Sequence, residues 1–212
     1  MPHITPGEGD ILLIIDVQND FCDGGALAVP DGDAVVPAIN RLAGEFPHMA
    51  MTQDWHPSDH LSFASAHPGK KPFETILLPY GEQVLWPDHC VQDSDGAAFH
   101  RALDLPRVEL IVRKGFRRAI DSYSAFFEND RRTPTGLAGY LRDRTIDRIF
   151  FCGLATDFCV SFTAVDAHKA GFEAVLIDPA CRAIDRDGSL AAARVAMADA
   201  GVITASMSDF GL

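Results

Sequence analysis

The stretch Phe150-Phe151-Cys152-Gly153-Leu154-Ala155-Thr156-Asp157-Phe158-Cys159-Val160, running on to Asp166, limits the possible folds of this chain more than any other. Arg148 to Cys152 is a short apolar run of the kind a parallel sheet buries on both faces. Gly153 and Ala155 then permit a tight turn and close backbone approach. Thr156 or Asp157 can cap a following helix, on which Phe158, Phe162, Val165 and Ala170 recur at helical spacing. Cys159 therefore falls in the first turn of a helix that follows a buried strand. Free backbone N–H groups and the positive end of the helix dipole lower a thiol pKa there. The residue reads either as a nucleophile with its own anion pocket or as a small apolar core residue.

The same alternation recurs along the chain. Asp10 to Val17 reads as a central strand ending at Asp16, and Ala34 to Phe46 as an amphipathic helix, with Pro37 tolerable in its first turn. His48 to Gln53, Glu109 to Val112, Ala174 to Asp178 and Val202 to Ala205 read as further strands. Gly136 to Arg142 and Ser189 to Ala200 read as helices, and Glu128 to Pro134 as an exposed excursion. Strands alternating with helices predict an α/β fold, a single doubly wound domain over residues 1–212. It holds a six-stranded parallel sheet with helices on both faces. The 212 residues suffice for one such domain, without linker or repeat.

Charge and cysteines narrow the function classes. Thirty acidic against 18 basic residues give a formal net charge of −12, which argues against nucleic acid or an anionic membrane as partner. No run approaches a membrane span, and Met1-Pro2-His3 does not begin a signal peptide. Five cysteines at irregular spacing fit reduced thiols and a cytoplasmic setting. The sequence contains no G-x-G-x-x-G or P-loop signature.

Open α/β sheets collect ligands at the carboxyl ends of their strands. Asp16, Lys114 and Cys159 each follow a strand there. A carboxylate, a cation and a thiol in one crevice make a covalent catalyst. Asp16 takes the thiol proton and returns it to an amine, Lys114 favours the thiolate, and the backbone N–H groups of Ala155 and Cys159 hold an oxyanion. Taken alone, Asp16 reads equally as a solvated strand-end carboxylate, and Lys114 reads more readily as a solvated strand-end cation than as a catalytic one.

A second constellation is Asp54, His56 and His60, spaced D-x-H-x-x-x-H after the next strand, with His89 a further candidate. One carboxylate and imidazoles suit a divalent ion, zinc ahead of iron or manganese. The alternative is polar loop residues that cap and hydrogen-bond. Cys90 reads as packing. His3, His48, His67, His100 and His168 read as surface or structural.

These residues resemble the isochorismatase-like cysteine hydrolase superfamily. Its D-x-Q-x-D-F run is matched by Asp16-Val17-Gln18-Asn19-Asp20-Phe21, and its cysteine turn by Gly153 to Val160. Asp54-Trp55-His56-Pro57, His60 and Trp86-Pro87-Asp88-His89-Cys90 resemble the nicotinamidase (pyrazinamidase) branch, which carries a metal. The likeness runs from Leu13 to Ile203. It implies hydrolysis of nicotinamide, and of analogues such as pyrazinamide, to the acid and ammonia through a thioester on Cys159. It implies a cis peptide between Leu154 and Ala155 that aims the oxyanion donors. It also implies one metal on Asp54, His56, His60 and His89 that binds the pyridine nitrogen, with Phe21, Trp86 and Tyr123 flanking the ring. A sibling amidase of another small amide is the alternative, and a homo-oligomer is left open. Nothing matches 115–121 or 128–134.

Overall fold

The computed structural model describes residues 3–212. Its strands are β1 (Asp10–Ile15), β2 (His48–Asp54), β3 (Thr75–Leu78), β4 (Gly81–Val84), β5 (Val108–Lys114), β6 (Arg148–Leu154), β7 (Glu173–Arg182) and β8 (Ile203–Ala205). Its α-helices are α1 (Val35–Leu42), α2 (Leu137–Asp143), α3 (Ser161–Lys169) and α4 (Ser189–Ala200). Six strands form one sheet in the order β5-β2-β1-β6-β7-β8, and every pairing in it is parallel. All six residues of β1 are buried, as is β6 beyond Arg148, which is why both read as unbroken apolar runs.

The chain builds leftward from β1 to β2 and β5, then returns to β6 on the other side of β1. Right-handed crossovers then put α1 on one face and α3 and α4 on the other. The reversal creates a crevice between the carboxyl ends of β1 and β6. Asp16 leaves β1 into that crevice, and Cys159 lies just past β6.

Several local expectations needed revision. The helix expected over Ala34 to Phe46 stops at Leu42 after a 3-10 turn at Gly32–Ala34. β7 runs on to Arg182, because four of its residues bulge between the pairs Phe151↔Leu176 and Gly153↔Cys181 and accommodate Pro179. The antiparallel hairpin β3–β4 was not expected. Its signal is a pair of four-residue strands, too short for a periodicity to register, and Leu77 on it is exposed. The stripe Phe158, Phe162 and Val165 is only half-buried. The buried residues of α3 are instead Ser161, Thr163, Ala164, Asp166 and Ala167, all small or polar. Glu128, read as part of an exposed excursion, is buried and takes an ion pair from Arg117 at 2.9 Å. All five cysteines are free and buried. Among the described residues no helix is long and apolar enough to cross a membrane.

Gly153 holds the two central strands at their functional end. Its φ is +116°, and a Cβ there would lie 2.2 Å from the backbone oxygen of Ile15. That obstacle is backbone and cannot swing aside. Gly153→Ala is therefore expected to cost about 3 kcal/mol or more of folding stability. Denaturant unfolding of the variant checks this, and an unchanged midpoint would contradict it.

Candidate active site

Lys114 is the centre of the site. It is the last residue of β5, and its side chain is shut off from bulk solvent. It lies 2.7 Å from Asp16 Oδ2, donates to Asp54 Oδ1 and to the Ser122 carbonyl at 3.1 Å, and reaches Cys159 Sγ at 3.3 Å. The register of β2 on β5 sets Asp54 directly beside Lys114. Asp16 has a left-handed backbone, φ +46°, unusual for a residue with a Cβ and a mark of functional turns. Its Oδ1 accepts from the Thr52 hydroxyl at 2.6 Å. Asp16, Asp54 and Cys159 place one oxygen or sulfur each within 4.8 Å of one another. The three expected strand-end groups thus meet.

Cys159 sits in a π-helical turn, Thr156–Val160, that joins β6 to α3. Such widened turns are frequent at functional sites. The peptide between Leu154 and Ala155 is cis. The expected cap is absent: neither Thr156 nor Asp157 caps the helix through its side chain. Asp157 instead accepts from the backbone N–H groups of Ile184 and Asp185, at 3.0 and 2.8 Å, and from the Ser189 hydroxyl. It ties the turn to the loop after β7, which no local pattern signals.

The electrostatics differ from the sequence reading. Burial pushes the Cys159 thiol well above its ordinary pKa, and the pull of Lys114 is partly cancelled by Asp16 and Asp54. Burial likewise raises Asp16, with Lys114 opposing and Asp54 assisting. Burial works against the Lys114 ammonium, but its two carboxylates outweigh it and raise it well above the usual lysine value. Burial thus favours the neutral form of the thiol, and beside it stands a carboxyl group made more basic than usual.

The second constellation adjoins the first through Asp54. Its Oδ2 lies 3.6 Å from His56 Nε2 and 3.8 Å from His89 Nε2. His56 Nδ1 donates to the Gly115 carbonyl at 2.9 Å, and His89 Nδ1 to the Pro87 carbonyl at 2.8 Å. Backing of this kind fixes the tautomer that leaves Nε2 free for a metal. Burial and the neighbouring His56 lower His89 to about 4, so it is neutral near pH 7. Burial opposes ionisation of Asp54, but Lys114, His56 and His89 hold it as a carboxylate, well below the usual range. Asp54, His56 and His89 converge within 4.8 Å, a donor set that fits a borderline divalent ion. His60 falls in a separate buried set with His56 and Asp121. The Ser62 N–H points at His60 Nδ1 from 3.1 Å, leaving Nε2 to face the Ile120 carbonyl at 3.3 Å.

Phe21, Trp86 and Tyr123 line the pocket above Cys159, as expected, with Asp54, His89 and Ala155. Phe158 and Ile184 complete its walls, and Phe158 meets Trp86 edge-on at 4.9 Å. Sequence reading missed both, and also Asp121, a buried carboxylate accepting from Gln83 at 2.8 Å. Asp121 lies in the segment without a recognised motif.

Two outcomes follow for the thiol. Because its pKa is raised, iodoacetamide alkylation of Cys159 should accelerate about tenfold per pH unit from neutrality upward. Lys114→Ala removes the one cation at the sulfur and should slow alkylation further at a given pH. A pH-independent rate, or an unchanged rate in the variant, would contradict this arrangement. Mass-spectrometric alkylation kinetics provide the measurement.

Comparison with known proteins agrees with this geometry. The model of the isochorismatase domain matches residues 10–209. The chain is 58% identical over 191 residues to a nicotinamidase of Acinetobacter baylyi, covering 90% of this chain and 89% of the relative. A solved structure of an Acinetobacter baumannii nicotinamidase/pyrazinamidase superimposes with a TM-score of 0.95 at 53% identity, over 96% of this chain and 98% of that one. A Pyrococcus horikoshii pyrazinamidase solved with zinc gives 0.75 at 32% identity, over 93% and 99%. With the domain matched over almost its whole length and relatives of this identity and coverage, the chain belongs to the isochorismatase family of hydrolases.

Proposed function

We propose that this protein deamidates nicotinamide, and close analogues such as pyrazinamide, to the carboxylic acid and ammonia. The observation that carries the reading is the buried Lys114 ammonium within reach of Asp16, Asp54 and Cys159 at once. The names of the relatives supply the substrate class. The aromatic walls Phe21, Trp86 and Tyr123 suit a flat ring.

The raised pKa values of Asp16 and Cys159 suit proton transfer during attack. The Cys159 sulfur forms a bond to the carboxamide carbon as its proton passes to Asp16. The carbonyl oxygen gains negative charge and is held by the N–H groups of Ala155 and Cys159. Asp16 then gives the proton to the amide nitrogen, the C–N bond breaks, and ammonia leaves a thioester on Cys159. Water enters the vacated position, Asp16 takes one of its protons, and the new C–O bond displaces the sulfur. The acid departs and the thiol is restored. Lys114 keeps Asp16 and the sulfur together and balances the charge that moves between them.

Asp54, His56 and His89 would hold one divalent ion, zinc ahead of iron or manganese, with His60 beside them. The pyrazinamidase solved with zinc supports the choice. Bound there, the ion supplies a Lewis-acid partner for the pyridine nitrogen. Phe21, Trp86 and Tyr123 would flank the ring beside Cys159.

Ammonia release from nicotinamide tests the reading. Cys159→Ala should abolish turnover, and quenched reactions of the wild type should carry a nicotinoyl adduct on Cys159. Turnover surviving in the variant would contradict the covalent route, and activity confined to aliphatic amides would point to a sibling amidase. His89→Ala should weaken divalent-ion affinity by about tenfold or more and raise KM, with Cys159 still alkylated. Metal analysis and single-turnover assays separate these effects, and unchanged metal content would contradict the ligand assignment.

A further inference from the structure

The loop that brings Phe21 into the pocket has a second cluster of metal-type donors on its outer side. Cys22 follows Phe21, Asp33 lies in the next turn, and His100 lies on the segment that the loop is zipped against. Cys22, Asp33 and His100 place one sulfur, one oxygen and one nitrogen within 4.8 Å of one another. His100 Nε2 lies 3.1 Å from Asp33 Oδ1, close to the separation of two ligands on a tetrahedral zinc. Cys22 is a free, buried thiol, while Asp33 and His100 are half-buried, so the cluster opens toward water on one side. Asp33 also lines a surface depression with Asp23 and Asp31, an acidic patch that concentrates cations.

We propose that Cys22, Asp33 and His100 form a second divalent-cation site of zinc-like preference, separate from the Asp54, His56 and His89 set, which clamps the Phe21 loop from outside. A thiolate, a carboxylate and an imidazole are the ligand types a borderline ion takes, with water filling the fourth, open position. Binding replaces the Cys22 S–H bond by a sulfur–metal bond and releases the proton to solvent. Burial and Asp33 hold that thiol up at about 11, so the proton must be displaced by the ion itself.

The second site is the weaker of the two. His100 Nδ1 receives a long contact of 3.3 Å from the Ala102 N–H, and coordination through Nε2 would move a proton onto Nδ1 and forfeit that contact. His56 and His89 donate from Nδ1 to carbonyls and pay no such cost. The outer site should therefore exchange its ion freely while the inner one retains it.

The clamp acts on a defined piece of backbone. The Asn19 N–H donates to the Ala98 carbonyl at 2.9 Å, the Asp20 N–H to the Gly96 carbonyl at 3.0 Å, and the His100 N–H to the Val17 carbonyl at 2.9 Å. The Asp23 N–H donates to Asp33 Oδ2 at 2.7 Å. An ion on Cys22, Asp33 and His100 would join all three segments at one point.

Cobalt and zinc titration of the metal-loaded enzyme tests the proposal. Wild type should take up one equivalent beyond the inner ion, with a sulfur-to-cobalt charge-transfer band, and zinc should displace that cobalt. Cys22→Ser should lose the band, and Asp33→Asn, a change at a half-exposed residue, should weaken the added equivalent by about tenfold or more. Amide exchange at residues 19–23 should slow when zinc is added to wild type and stay unchanged in Cys22→Ser. A band that persists in Cys22→Ser, or equal uptake by wild type and both variants, overturns the assignment.

Discussion

One buried ammonium holds this site together. At 2.7 Å and an effective dielectric constant of about 20, Lys114 and the Asp16 carboxylate attract by about 6 kcal/mol. Asp54 adds a second attraction on the other side. Taking an ammonium out of water costs several kcal/mol, so the two carboxylates together decide that Lys114 stays charged. Removing the ammonium would leave two buried carboxylates without their shared cation, a loss of about 3–5 kcal/mol. The arrangement is thus mutually dependent. Its worth to the enzyme is the fixed placing of a base and a sulfur around one charge.

Asp54 extends that dependence to the neighbouring donor set. One oxygen faces Lys114 and the other faces His56 and His89. Its backbone is held as firmly as its side chain. Gln18, fully buried, accepts from the Asp54 N–H at 2.8 Å and donates to the Asp54 and Ala97 carbonyls at 2.8 and 2.9 Å. Asp20 accepts from the Cys90 N–H at 2.7 Å, one residue from His89. The polar residues of the D-x-Q-x-D-F run therefore divide the work. Asp16 faces the sulfur, while Gln18 and Asp20 place the loops that carry Asp54 and His89. Phe21 then has a fixed loop from which to reach the pocket.

The central strands and the strand-end residues were legible because burial on both faces writes an uninterrupted apolar run and the turn after it writes a polar group. Asp16 and Cys159 follow that pattern, whereas Lys114 does not: β5 is an edge strand exposed at alternate residues, and Lys114 is its last residue. The charge state of the thiol was not legible, because it depends on how many carboxylates share Lys114, and that is a matter of register between β2 and β5. The face of α3 was misjudged for a related reason. Phe158 and Phe162 are large and apolar, yet Phe158 walls the pocket and Phe162 packs on Tyr123 at 5.2 Å, so the pattern that usually marks core here marks the site. Asp121 was invisible because its partners Gln83 and Tyr80 come from a hairpin too short to show a period.

A neutral resting thiol has a consequence for selectivity. A standing thiolate would react with any electrophile that reached the pocket. On the proposed route, a thiol that yields its proton only as Asp16 takes it would react when a carbonyl is already placed within bonding distance. Placement depends on the ring walls and on the donor set that would grip the ring's far side, so recognition and reactivity are joined through Asp54 and Lys114. An amide without a ring nitrogen would lack the second anchor and would dwell near the sulfur without alignment. On the proposed reading, then, Asp54 would tie the two halves of the site together, with Lys114 and the sulfur on one of its oxygens and the His56 and His89 donor set on the other.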